Sequence, residues 1–97
     1  MDILVTVWKK TDSIVARKIS DEVILVPIRH NVADLDSIYT LNETSARIWE
    51  LIDGSKTGNE ILTVIASEFE ITFKQATDDL INFLLQLENI QAIKSVS

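Results

Sequence analysis

A chain of 97 residues with 46% apolar content and a formal charge of −6 is a single small globular domain, too apolar for disorder and too short for two cores. It contains no cysteine, which excludes a disulfide framework and a thiolate metal site, and no apolar run approaches the roughly 18 residues that a membrane span needs. Residues 57–97 carry six acids against two lysines, the wrong sign for a phosphate backbone and a better match to a basic or neutral partner. The opening MDILVTVWKK is too short, with basic residues too late, for a signal peptide. The expectation is a cytoplasmic protein with neither nucleic acid nor membrane among its partners.

The first dozen residues hold a β-rich run, Ile3 to Trp8, that is largely apolar on both sides before Lys9-Lys10 interrupt it. Such a run suits a strand between two layers or an arm with adhesive surface, so residues 1–12 are set apart as an N-terminal arm or extra strand. Ser13–Ile19 and Val23–Val26 read as a hairpin across a tight Ser20-Asp21-Glu22 turn. Pro27 closes the second strand because it cannot donate to a ladder. Residues 29–37, RHNVADLDS, are a polar link, and Ile38–Leu41 forms a third short strand. Three strands with one apolar face still need a cover.

The helices that follow supply it. The segment Ile38 to Gly54 is the joint between the two layers: a strand, a turn at Asn42, then a helix to Ile52. Asn42 and Thr44 are both plausible N-caps, Ile48, Leu51 and Ile52 form the core stripe, and Gly54 is placed at the C′ position. Thr57 and Glu60 are spaced as a capping box for a second helix whose buried stripe is Ile61, Leu62, Ile65, Ala66 and Phe69. Thr72 and Gln75 repeat that spacing for a third helix, which runs to Leu87 or Glu88. Residues 93–97 are left as a tail, with Ile93 and Val96 as a last extended contact. The body is residues 13–92, an α+β fold with an N-terminal three-stranded antiparallel sheet packed on three helices.

Catalytic chemistry is hard to place on these residues. His30 is the single histidine, in a polar loop with no partner for a metal or a nucleophile. Asp34 and Asp36 have no apolar shell to raise a pKa, and Asp53 before Gly54 reads as a turn residue. Two glycines cannot make a phosphate-cradling loop. Trp49 reads as packing and not as a stacking platform. The order of elements is that of a winged helix-turn-helix, but the third helix has no arginine and one lysine, Lys74, too little for a reader of base edges.

That helix carries more apolar surface than one core face requires. Phe73, Ala76, Leu80, Leu84 and Leu87 form one stripe, Ile81 and Leu85 a second, and Phe83 a third direction. Either both sides are buried between layers, or the Ile81/Leu85 stripe borders a groove beside the sheet edge. An open edge is a row of amides and carbonyls that an added peptide strand can satisfy.

The run Tyr39-x-Leu41-Asn42-x-Thr44-x-x-x-Ile48-Trp49-x-Leu51-x-Asp53-Gly54-x-x-Thr57-x-x-Glu60-Ile61 resembles the PqqD-like family. So do the earlier Arg17-Lys18-Ile19 and Val23–Pro27 strands and the closing Phe83-Leu84-x-x-Leu87, and the likeness spans residues 14–90. The resemblance implies a winged-helix-like fold and a non-catalytic module without cofactors or metal. Such a module captures the leader region of a ribosomally made precursor peptide by strand addition. It then presents that leader to a modifying enzyme: a radical SAM enzyme, a protease or another tailoring enzyme. Carried over residue by residue, it implies Ile38, Tyr39, Thr40 and Leu41 on the strand side, and Asp78, Ile81, Asn82, Leu85 and Gln86 on the helix side. In this picture Ile81 and Leu85 take apolar leader side chains and Asp78 selects a basic or polar group. The alternative is an assembly module that forms a homodimer through the same sheet edge or by exchange of the Ile3–Trp8 arm.

Overall fold

The computed structural model describes residues 2–28 and 39–96. Strands β2 (Ile14–Ile19) and β3 (Glu22–Pro27) form the expected hairpin, in register from Ile14↔Pro27 to Ile19↔Glu22. Its loop is Ser20-Asp21, and Ser20 takes φ 56°, the positive value that a two-residue hairpin turn requires at its first position. Strand β4 (Tyr39–Leu41) adds antiparallel to β3, giving the order β2-β3-β4. Helices α1 (Glu43–Leu51), α2 (Gly58–Glu68) and α3 (Phe73–Asn89) cover one face of this sheet. Ile14, Leu25 and Leu41 from the sheet share a single core with Ile48, Ile61, Ile65, Leu80, Leu84 and Leu87 from the helices. The α+β, winged-helix-like architecture is therefore as the sequence implies.

The termini are where the structure adds to that picture. Strands β1 (Trp8–Lys10) and β5 (Ile93–Ser95) pair as a separate antiparallel ribbon. The expected tail is thus a strand, with Ala92 and Ile93 buried in the core. It is reached through a Schellman turn at the end of α3: the amide of Ala92 donates to Leu87 O at 2.8 Å and that of Gln91 to Glu88 O at 3.0 Å. Gln91 itself adopts φ 63°.

The N-terminal run is neither a full strand nor a loose arm. Residues 2–6 coil into a turn in which the Leu4 amide donates to Asp2 Oδ1 at 2.9 Å and Thr6 Oγ1 donates to Asp2 O at 2.7 Å. Trp8 is fully buried, and its indole N–H donates to Ile3 O at 3.1 Å. The coiled segment caps α2. The amide of Gly58 donates to Thr6 O at 3.1 Å and that of Asn59 to Leu4 O at 2.7 Å. The Glu60 amide donates to Thr57 Oγ1 at 3.2 Å, and Glu60 Oε1 accepts from the Thr57 amide at 2.9 Å. Every amide of the first turn that lacks an intrahelical acceptor thus finds one, half from the capping box and half from the arm. This docking uses part of the run's apolar surface: Ile3 and Leu4 pack against the core and Trp8 belongs to it, while Val5 stays exposed.

The cap of α1 is Asn42, whose Oδ1 accepts from the Ser45 amide at 2.8 Å. Its C-cap is Ile52, so Gly54 lies one residue beyond the expected C′ position. The residue retains a glycine-favoured φ of 85°, and its amide donates to Trp8 O at 2.9 Å, tying the ribbon to the end of α1. Asp53 does act as a turn residue. Its carboxylate accepts from Lys56 Nζ at 2.6 Å, from the Ser55 amide and hydroxyl at 2.9 Å each, and from the Lys56 amide at 3.1 Å. At α3, Thr72 accepts from the Gln75 amide at 3.1 Å, but the Gln75 side chain turns away to Asp79, so the second box is half formed.

Two outcomes follow from these contacts. A Cβ at Gly58 would sit 2.7 Å from Ile3 O and 2.9 Å from Leu4 Cα, both backbone atoms that cannot swing aside. Gly58→Ala is therefore expected to lower stability by about 1–3 kcal/mol in urea unfolding, despite alanine's better helix propensity. The bond from Lys56, reinforced by the Ser55 donors, holds the Asp53 carboxyl well below its ordinary value of 3.8. A folded-state pKa below the unfolded one contributes stability above the unfolded value and loses it as pH falls. Thermal melts from pH 7 down to about 2 are expected to show Asp53→Asn losing less stability than the parent below roughly pH 4.

Candidate functional site

Strand β4 has one edge bonded to β3, with Val23↔Leu41, Ile24↔Thr40 and Leu25↔Tyr39 in register. No described strand pairs with its other edge. The neighbour on that side is α3. Between them runs a groove made of two adjoining cavities that share Ser45, Phe83 and Gln86. The first, of about 90 Å³, has an apolar floor: Leu25, Tyr39 and Leu41 from the sheet, Phe83 and Leu87 from α3, and Ile90 from its C-cap. The second, of about 210 Å³, is polar: Asn42, Thr44 and Ser45 from the joint between β4 and α1, with Asp79, Asn82 and Gln86 across from them.

Local sequence sets this geometry. Leu41 ends the strand buried in the core, and Asn42 turns the chain and caps α1 in a single residue. The N-terminus of α1 therefore opens directly beside the strand edge. On α3, Asp79, Asn82, Phe83 and Gln86 recur at helical spacing and share one flank, continued by the C-cap Ile90, next to the core stripe of Ala76, Leu80, Leu84 and Leu87.

Of the residues the sequence singles out, the structure brings Tyr39, Thr40, Leu41, Asn82 and Gln86 together around this groove. Ile38 lies outside the described residues, as do His30, Asp34 and Asp36. Asp78, Ile81 and Leu85 line neither cavity. Asp78 is exposed and accepts from Lys74 Nζ at 2.8 Å, Leu85 is 46% exposed, and Ile81 is half-buried on the same outer flank of α3. Phe83, Asp79 and Ile90 are among the groove residues that sequence reasoning did not select. Phe83 was visible as a third apolar direction on the helix and as part of the Phe83-Leu84-x-x-Leu87 ending.

Among the described residues no group of three or more His, Cys, Asp or Glu side chains gathers to hold a metal. Trp49 is buried, with Lys10 Nζ 4.9 Å above its ring; desolvation there pulls the lysine pKa down. A broad cleft of about 740 Å³ opens on the other side of the β4–α1 joint, between the hairpin and α1 and α2. Its rim is fastened by Arg47, which donates to both Glu68 oxygens at 2.8 and 2.9 Å. That hydrogen bond raises the arginine pKa and lowers the glutamate's. No described helix is long and apolar enough to cross a membrane.

The sequence of residues 22–93 matches the family model for coenzyme PQQ synthesis protein D (PqqD). The chain is also similar to a solved structure described as TbiB1 in complex with the TbiA(beta) leader peptide. The two are 27% identical, with a TM-score of 0.72 over 92% of this chain and 98% of that one. No curated protein matches it. With the family model spanning most of the chain, from β3 to the first residue of β5, the protein belongs to the PqqD family of non-catalytic accessory proteins.

Proposed function

We propose that this protein captures the leader segment of a ribosomally made precursor peptide along the free edge of β4 and presents it to a modifying enzyme. The observation that carries this reading is the edge of β4 with which no described strand pairs, bordered by Phe83 and Gln86 of α3 and by its C-cap Ile90. Membership of the PqqD family supports it. So does similarity to a protein solved with a leader peptide. The backbone of β4 supplies donors and acceptors to an extended peptide, and alternate peptide side chains drop toward α3. The small apolar cavity takes one of them, worth roughly 1.5–3 kcal/mol if fully buried. Each added strand hydrogen bond contributes about 0.5–1.5 kcal/mol, and association costs several kcal/mol. The short β4 therefore gives modest affinity, which suits a carrier that must release its cargo. The gain for the enzyme is a raised local concentration of substrate, with no bond chemistry on the carrier. We place this work in the cytoplasm, where precursor peptides are made.

Contacts are assigned to Tyr39, Thr40, Leu41, Asn82 and Gln86, joined by Phe83 and Ile90, in preference to the outer strip of Asp78, Ile81 and Leu85. The two placements differ in one comparison. Calorimetric titration with a synthetic leader peptide is expected to show Gln86→Arg weakening binding tenfold or more, about 1.4 kcal/mol, by filling the groove. Leu85→Asp is expected to change it less than threefold. The reverse order would move the site to the outer strip, and a leader that fails to bind the parent protein would end the reading.

A further inference from the structure

The polar cavity has a feature that the apolar one lacks. Asp79 is the one charged residue among its described lining residues, and no cation lines it. Its neighbour Asp78 is in an ion pair with Lys74 at 2.8 Å, whereas Asp79 makes no ion pair among those of the described residues. Its Oδ1 accepts one hydrogen bond, from Gln75 Nε2 at 2.8 Å, and that donor is neutral. Asn82 and Gln86, one and two helical turns on, supply amides along the same flank. Asn42 and Thr44 face them from the end of β4. The arrangement is a carboxylate with spare acceptor capacity, ringed by neutral polar groups, at one end of a strand-shaped groove. Its complement is a long cationic side chain, whose stem fits along Phe83 and whose head reaches the carboxylate.

We infer that Asp79 selects a lysine or arginine of the bound peptide, placed N-terminal to the apolar residue that fills the neighbouring cavity. This rests on the groove being the peptide site, and it adds the chemistry of the ligand and its polarity. Direction follows from the order of the cavities. Along β4 the apolar cavity spans Tyr39–Leu41 and the polar one begins at Asn42. A peptide pairing antiparallel, the stronger of the two ladder types, runs from the Asn42 end to the Tyr39 end. It therefore meets Asp79 first and the apolar cavity second. Side chains on one face of a strand alternate, so the two recognised residues are separated by an even number of positions.

The test uses synthetic nonapeptides that share one leucine and carry lysine, glutamine or glutamate two or four residues N-terminal to it. Their binding is followed by fluorescence polarisation against the parent protein, Asp79→Asn and Asp78→Asn. Asp79→Asn keeps the acceptor for Gln75, so α3 retains its local bond and circular dichroism checks that it does. The parent is expected to prefer lysine over glutamate by about fivefold, the range for a partly solvated ion pair. That preference is expected to shrink between about 20 mM and about 500 mM salt. Asp79→Asn should bring lysine and glutamine peptides level while the leucine is still required, and Asp78→Asn should leave the preference in place. Leucine-dependent binding without charge preference, or equal effects of the two substitutions, would overturn the Asp79 assignment alone. Binding by none of the peptides would overturn peptide capture and the Asp79 assignment together.

Discussion

The structure depends on a joint with no linker in it. Leu41 is the last residue of β4 and is buried in the core, Asn42 is extended at φ −76° and ψ 179°, and Glu43 is already helical. One side chain, the Asn42 amide, completes the turn by accepting from Ser45. A strand that passes into a helix over a single residue cannot choose where that helix goes. The start of α1 is fixed at the end of the strand edge, and Ser45 and Gln86 close the gap from opposite sides. The edge that β3 does not use therefore faces a helix flank across a narrow groove. A bare edge in open water invites any strand, including another copy of the same chain. An edge set into a groove accepts only a strand whose side chains suit the flank, which converts a general hazard into a selective site.

Around an edge that no described strand covers, the rest of this small domain is well satisfied. Among the described residues no buried side-chain nitrogen or oxygen lacks a hydrogen-bond partner. The clearest case is α2. Its first-turn amides are met by Thr57 and by the carbonyls of Leu4 and Thr6, so an N-terminal segment that looks dispensable is part of a helix cap. Burial of Trp8 fastens the same segment to the core, and the Trp8 carbonyl in turn receives the Gly54 amide. The arm is thus committed within its own chain at several points. That arrangement leaves exchange of the arm between copies with little to gain, because a swapped arm would form the same bonds it already makes.

The parts of the fold that were legible in the sequence are those written in local chemistry. The Thr57/Glu60 box and the tight turn at Ser20-Asp21-Glu22 are specified by residues close in sequence, and both form, with Glu22 already paired to Ile19. The ribbon of β1 and β5 was not legible, because it joins the two ends of the chain and its Schellman turn uses Gln91 where glycine would have been a signal. The N-terminal run misled for a related reason. Apolar residues on both sides suit a central strand, yet they also suit a coiled segment wedged between a helix end and the core. Periodicity cannot separate the two when the partners are distant in sequence.

The groove was half legible, and the reason lies in the angular arithmetic of α3. Each residue turns the helix by about 100°, so the core stripe, the groove flank and the outer strip are neighbours on one cylinder. Sequence pattern identifies the core stripe, since it is the widest apolar band, but it gives no sign of which shoulder of that band meets the sheet edge. Ile81 and Leu85 are the more apolar shoulder and draw the eye. The opposite shoulder, Asp79, Asn82, Phe83 and Gln86, is mostly polar and is the one that lies across from β4. A binding flank in a groove wetted when empty need not be greasy. It has to offer one apolar recess and several polar groups that water can serve until a peptide replaces it. Adjacent aspartates make the consequence plain: a one-residue step moves a carboxylate from a solvated pair with Lys74 to the wall of the groove. Which side chains of α3 face the groove is thus decided by helical phase, which is settled by how α3 packs on the core stripe and not by the composition of its exposed faces.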